Sequence, residues 1–186
     1  MMNLITGKMH FKKRLYFTAF VLIAIWSLLI YDHFHGGVPT HYILHREDLP
    51  GFSNWWGGFL LPIITWFLLC RIQKRAKKSS EKSNFFSEVF FGFVGALVFG
   101  ILLSVFFTFN YEEMPLYLLA ALFIGSLFFP IYKAECFLGF IIGMTFTFGG
   151  VLPILIGSIF TLIGAFLYLV VRPGIGFVFS KLGFTT

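Results

Sequence analysis

The sequence predicts an all-α, polytopic integral membrane protein, a six-transmembrane-helix bundle with both termini cytoplasmic. Three observations predict it. Of the 186 residues 58% are hydrophobic and 12% charged, where an average soluble domain carries about 25% charge; the mean hydropathy is +0.88. Phe alone supplies 28 residues, more apolar surface than a soluble core of this size can enclose, yet well placed where it faces lipid. The net charge of +6 comes from basic residues grouped at the ends of uncharged runs. That is the pattern of the positive-inside rule, and no nucleic-acid partner is expected.

The first run, 15–31, follows Lys8, Lys12, Lys13 and Arg14. Ile30-Tyr31-Asp32-His33 offers no small-residue cleavage site, so the run is expected to stay as a helix and not to act as a cleaved leader. The second run, 55–70, contains Pro62, which is expected to kink it. It ends at Arg71, where the most polar segment of the chain begins, with six Lys and Arg between Arg71 and Asn84. The third and fourth runs, 85–109 and 115–132, are separated by Asn110-Tyr111-Glu112-Glu113. From Cys136 to Val171 the chain is uncharged. One helix of that length would measure about 54 Å at ~1.5 Å per residue, nearly twice a bilayer core of ~30 Å. It must fold back, and Gly149-Gly150-Val151-Leu152-Pro153 is where glycine breaks a helix and proline starts the next. The last two spans are therefore 136–149 and 153–171, and the whole chain, 1–186, reads as one membrane domain.

Alternation of the loops puts 13 of the 14 Lys and Arg on the cytoplasmic side and leaves Arg46 alone outside. That bias places an external loop at 32–54 and the protein in the plasma (inner) membrane. Cys70 and Cys136 fall at cytoplasmic ends, where thiols stay reduced. With lipid on both sides, helix association rests on close packing, so small residues at four-residue spacing mark contact faces. Such stripes are Gly92, Ala96, Gly100 and Ser104; Gly139, Gly143 and Thr147; and Gly157, Thr161 and Ala165. Glu88 is the one carboxylate inside an apolar run. It is expected to serve the first turn of the third helix, where negative charge suits the helix dipole.

The external loop holds four of the five histidines: His33, His35, His41 and His45. Gly36-Gly37 permits a sharp turn, and Thr40 can cap a short helix to about Asp48, stopped by Pro50-Gly51. On that helix His41 and His45 would share a face. Asp32, His33 and His35 would approach from the other side of the turn. Imidazole and carboxylate together form the ligand sets of Zn²⁺ and Cu²⁺, so Asp32, His33, His35, His41 and His45 are the candidate metal ligands, with Glu47 and Asp48 behind them. The function expected on this basis is transition-metal binding, or metal-assisted chemistry on a lipid-like substrate. The alternative is a transporter or an assembly subunit that docks a membrane-protein partner, with no catalytic role. The competing account of the loop is an interfacial surface in which Tyr31, Tyr42, Trp55 and Trp56 form an aromatic belt. His-Glu-x-x-His is absent, which removes the common zinc-protease arrangement.

Overall fold

Six apolar helices follow one another in the computed structural model, which describes residues 2–38, 40–42, 51–79, 82–111 and 113–181. They are α1 (Met2–Phe34), α2 (Gly57–Lys78), α3 (Lys82–Thr108), α4 (Met114–Gly125), α5 (Ala134–Phe148) and α6 (Val151–Phe166). Past α6 a wide π-type turn, Leu167–Val171, leads without a break into α7 (Arg172–Lys181). The only sheet among the described residues is a ribbon of β1 (Thr40–Tyr42) and β2 (Gly51–Ser53), antiparallel, with His41 opposite Phe52. Four helical stretches are long and apolar enough to cross a membrane: Phe11–Phe34, Asn54–Lys78, Asn84–Thr108 and Val151–Phe177.

The breaks follow local chemistry. Leaving α1, Gly36 and Gly37 adopt φ of +117° and +94°, and the amides of His35 and Gly37 both donate to the Asp32 carbonyl. Asn110 ends α3 with φ of +55°. Its amide donates to Phe107 and that of Tyr111 to Phe106, the paired bonds of a Schellman cap. α5 stops at Gly149, whose φ is +70°, so the long uncharged run folds back where its length requires. α2 extends past its apolar run at the C-terminal end, because Lys and Arg are good helix formers; residues 71–78 belong to α2. Pro62 lies inside α2, and the helix continues through it.

The fourth run departs from expectation. α4 has 12 residues, about 18 Å at ~1.5 Å each, and stops at Gly125. The Ser126 hydroxyl donates to the Phe123 carbonyl at 2.6 Å, an alternative to continued helix. Pro130 then disfavours helical backbone at Phe129, and 126–133 runs in turns back to the start of α5.

α5 is the centre of the molecule, set among α2, α3 and α6. Its interface with α3 is the most extensive and is made at backbone level. A Cβ on Gly139 would run into the Phe93 carbonyl, and one on Gly143 into the Leu97 carbonyl. From the other side, a Cβ on Gly100 would lie 2.8 Å from the Phe140 carbonyl oxygen. The α3 stripe and, in α5, Gly139 and Gly143 are thus packing faces as the spacing predicted; Thr147, the third member of the α5 stripe, is exposed. On α6 the close approaches are at Gly157, against Phe137 and Phe140, and at Gly164, against Ile131; they are seven residues apart, two turns on one face.

Polar contacts fasten each end. At the end opposite the basic segments Asn54 is buried, 1% exposed. Its side-chain oxygen accepts from the Gly150 amide at 3.0 Å, while a Cβ on Gly57 would sit 2.8 Å from the Gly150 Cα. At the basic end Arg14 donates to Cys70 Sγ at 2.7 Å and lies 3.8 Å over the Trp66 ring. Between these ends Val21, Ile25 and Leu29 of α1 are buried, one ridge at four-residue spacing.

Gly139→Ala and Gly143→Ala should each cost about 1–3 kcal/mol or more, because the helices must part to admit a methyl. Gly95→Ala, whose Cβ meets open space, should be neutral or slightly stabilising. Thermal unfolding in detergent separates the two classes, and equal losses at all three positions would contradict the seam.

Candidate functional site

At the histidine end, the structure disperses the side chains it describes. His33 and His35 are two residues apart at the end of α1, so they leave the helix on different faces. The His33 ring packs on Phe34 and Trp55. The His35 ring stacks on Tyr31 at 4.1 Å, and its Nδ1 lies 2.9 Å from the Tyr31 carbonyl oxygen. With Nδ1 donating in that bond, Nε2 is left as the acceptor. His41 lies on β1, so the short helix expected from Thr40 does not start there: Thr40–Tyr42 is extended and pairs with Gly51–Ser53. His45, Glu47 and Asp48 lie outside the described residues. Among the described residues no three His, Cys, Asp or Glu side chains converge as a metal would need.

The basic end is built differently. Between α3, α5 and α6, with Leu122 of α4 beside them, lies a cavity of about 880 Å³, inside the 300–1,000 Å³ range of small-molecule sites. Its body is apolar: Phe99, Leu122, Ile131, Phe137, Phe140 and Phe160. Space for it comes from small residues, Gly92, Gly95, Ala96 and Gly157. It is open on one side, because Phe91, Gly95 and Phe129 line it and are themselves exposed. Its charged groups, Glu88, Lys133 and Glu135, gather at one end with Asn84, Ser87 and Cys136, and Thr161 of α6 adds a hydroxyl to the wall.

Two ion pairs stand there, and they differ. Glu135, 1% exposed, accepts two bonds from Arg75 Nη1 of α2, at 3.0 and 2.7 Å to its two oxygens. A Cβ on Gly92 would lie 3.1 Å from the Glu135 side chain and 3.3 Å from Cys136 Sγ, so glycine there leaves room for both. The second pair is Lys133 donating to Glu88 at 3.2 Å, with the Glu88 side chain 60% exposed. Exposed pairs of this kind contribute about 0–1 kcal/mol, whereas unpairing a buried charge costs several. Glu88 is therefore not the partner of a helix end: α3 begins at Lys82, three residues before the apolar run, which leaves Glu88 beyond the first turn, and Glu88 faces Lys133 instead.

Glu135 is the residue that reading the sequence missed. It stands at the boundary of an apolar run, where a charge passes for a loop residue. Its signal was its place in the first turn of a helix whose next residues are apolar and small; nothing in the sequence singles out Arg75 among the basic residues around it. The chamber itself has no local signature, since its walls come from four separate segments. No protein-family model, curated protein or solved structure matches this chain.

Arg75→Ala should destabilise the protein by about 3–5 kcal/mol, because it leaves the Glu135 carboxylate buried without its partner. Glu135→Gln should cost less, since the Arg75 side chain is 35% exposed and water can take over. Adding Glu135→Gln to Arg75→Ala should recover part of the loss. Strictly additive losses in a double-mutant cycle would show that the two side chains do not act as a pair.

Proposed function

We propose that this chain is a multi-pass membrane protein, N- and C-termini cytoplasmic, that binds a lipid-like amphiphile in the chamber of α3, α5 and α6. One observation carries the reading: an apolar cavity of about 880 Å³, open to the side of the bundle, with its charged groups confined to one end. That division suits a molecule with a hydrocarbon chain and a polar head. From Glu88 at the mouth to Phe99 inside is eleven residues of α3, about 16 Å at ~1.5 Å per residue, room for a long chain. The lateral opening suits entry from within a bilayer, where such molecules are dissolved.

The orientation is supported from two directions. Arg14, Arg75 and Lys133 meet partners at one end, and Tyr168, its ring tilted against Tyr132 and lying under Arg172, brings the last helix to the same end. The bias of basic residues makes that end cytoplasmic. The outward faces of the helices carry Phe20, Phe67, Phe90 and Leu162, all well exposed, as a lipid boundary requires. The six crossings then include two short helices, with 126–133 completing the path of α4.

This reading keeps the lipid-like ligand expected from the sequence and separates it from the histidine loop. From Glu88 to Thr108 at the far end of α3 is about 30 Å, so loop and mouth belong to opposite sides of the membrane. A metal on Asp32, His33, His35, His41 and His45 would be a second site and not part of this one. Of the two expectations, binding of an amphiphile rests on geometry as well as residue type.

A photoreactive fatty-chain probe should label Phe99, Phe140 and Phe160, and Gly95→Phe should cut labelling at least about tenfold by filling the chamber where the Gly95 Cβ meets open space. Val98→Phe, on the exposed face of α3, should leave it unchanged. Labelling unaffected by Gly95→Phe would refute the reading. Separately, reporter fusions after Asp48 and Gly150 should register outside and those after Lys78 and Lys133 inside; a cytoplasmic signal at Asp48 would reverse the orientation.

A further inference from the structure

Resting on the chamber reading above, we infer that the head group taken at its mouth is zwitterionic, an amine and an acid group carried together on one apolar tail. The mouth holds four charges in two pairs, and only one pair is available. Arg75 and Glu135 are joined by two short bonds with the carboxylate buried, and Arg75 does not line the chamber, so this pair is not the one presented to a ligand. Lys133 and Glu88 meet through a single bond of 3.2 Å, with Glu88 largely in the open. A pair like that is weak and easily exchanged.

The exchange decides the class of head. An anionic head would gain Lys133 but press against the Glu88 carboxylate. A cationic head would gain Glu88 and meet Lys133. An uncharged head would leave the pair as it stands and gain nothing from it. A head bearing both charges bonds to Lys133 through its anion and to Glu88 through its cation, so each group exchanges one charged partner for another. Ser87, next to Glu88 on α3, lines the same end and offers a hydroxyl group to such a head. Charge complementarity, not the apolar walls, therefore selects the ligand.

The test uses the full chain in detergent and native mass spectrometry with three chain-matched lipids: phosphatidylethanolamine, phosphatidylglycerol and diacylglycerol. Phosphatidylethanolamine should bind about tenfold or more tighter than either of the others. Glu88→Gln and Lys133→Gln should each weaken it by about tenfold, a loss typical of one charge-assisted contact, while leaving diacylglycerol unchanged. The exchange of both charges, Glu88→Lys with Lys133→Glu, should restore the preference for phosphatidylethanolamine, which a purely structural role would not do. Tighter binding of phosphatidylglycerol, or no loss in either Gln variant, would overturn the inference. If all three lipids bind equally and Gly95→Phe abolishes all three, the chamber stands and the head-group inference falls. If Gly95→Phe changes none of them, the chamber reading itself fails.

Discussion

Everything in this bundle depends on how closely α3 and α5 approach. Within a bilayer, apolar side chains gain nothing by leaving lipid for one another, so close packing has to hold helices together. Glycines 139 and 143 set the α5 backbone against the carbonyls of Phe93 and Leu97, and Gly100 returns the contact. With that seam made, α5 is fixed in the middle although it has only 15 residues. The remaining elements take their positions from it: α2 through Arg75 and Glu135 at one end and through Asn54 and Gly150 at the other, and α6 through Gly157.

The chamber is a consequence of the same choice of residues. Small side chains that let α3 and α5 meet continue along α3 as Gly92 and Ala96, and beside them the position of a Gly95 Cβ meets open space. α4 is too short to close over it, ending at Gly125, and 126–133 passes as irregular chain. What remains is an apolar recess with ion pairs at its mouth. The buried Arg75–Glu135 pair ties α2 to α5, and on the proposed reading the exposed Lys133–Glu88 pair is the one that meets a ligand. Two interactions of the same chemical type thus have different uses because one is desolvated and the other is not.

Much of the fold could be read from residue type. The break at Gly149–Gly150 followed from length alone, and the α3 and α5 seams from glycine spacing. The glycine turn after α1 came out where Gly36-Gly37 allowed it. What was not legible depends mostly on partners far apart in the chain. The end of α4 is the local exception, a serine bonding back onto its own helix. Arg75 is one of many basic residues until Glu135 is seen beside it, 60 positions later. At the histidine loop the short helix expected from Thr40 is replaced at Thr40–Tyr42 by a strand paired with Gly51–Ser53, a pairing across the loop that local residue types do not announce.

The central claim is that hydrocarbon occupies the recess with its head at the Lys133–Glu88 pair. A density map of the protein in lipid nanodiscs tests this most directly. An elongated feature running from that pair past Gly95 to Phe160 is the expected result. A recess filled by side chains of the protein itself, with no such feature, would contradict it.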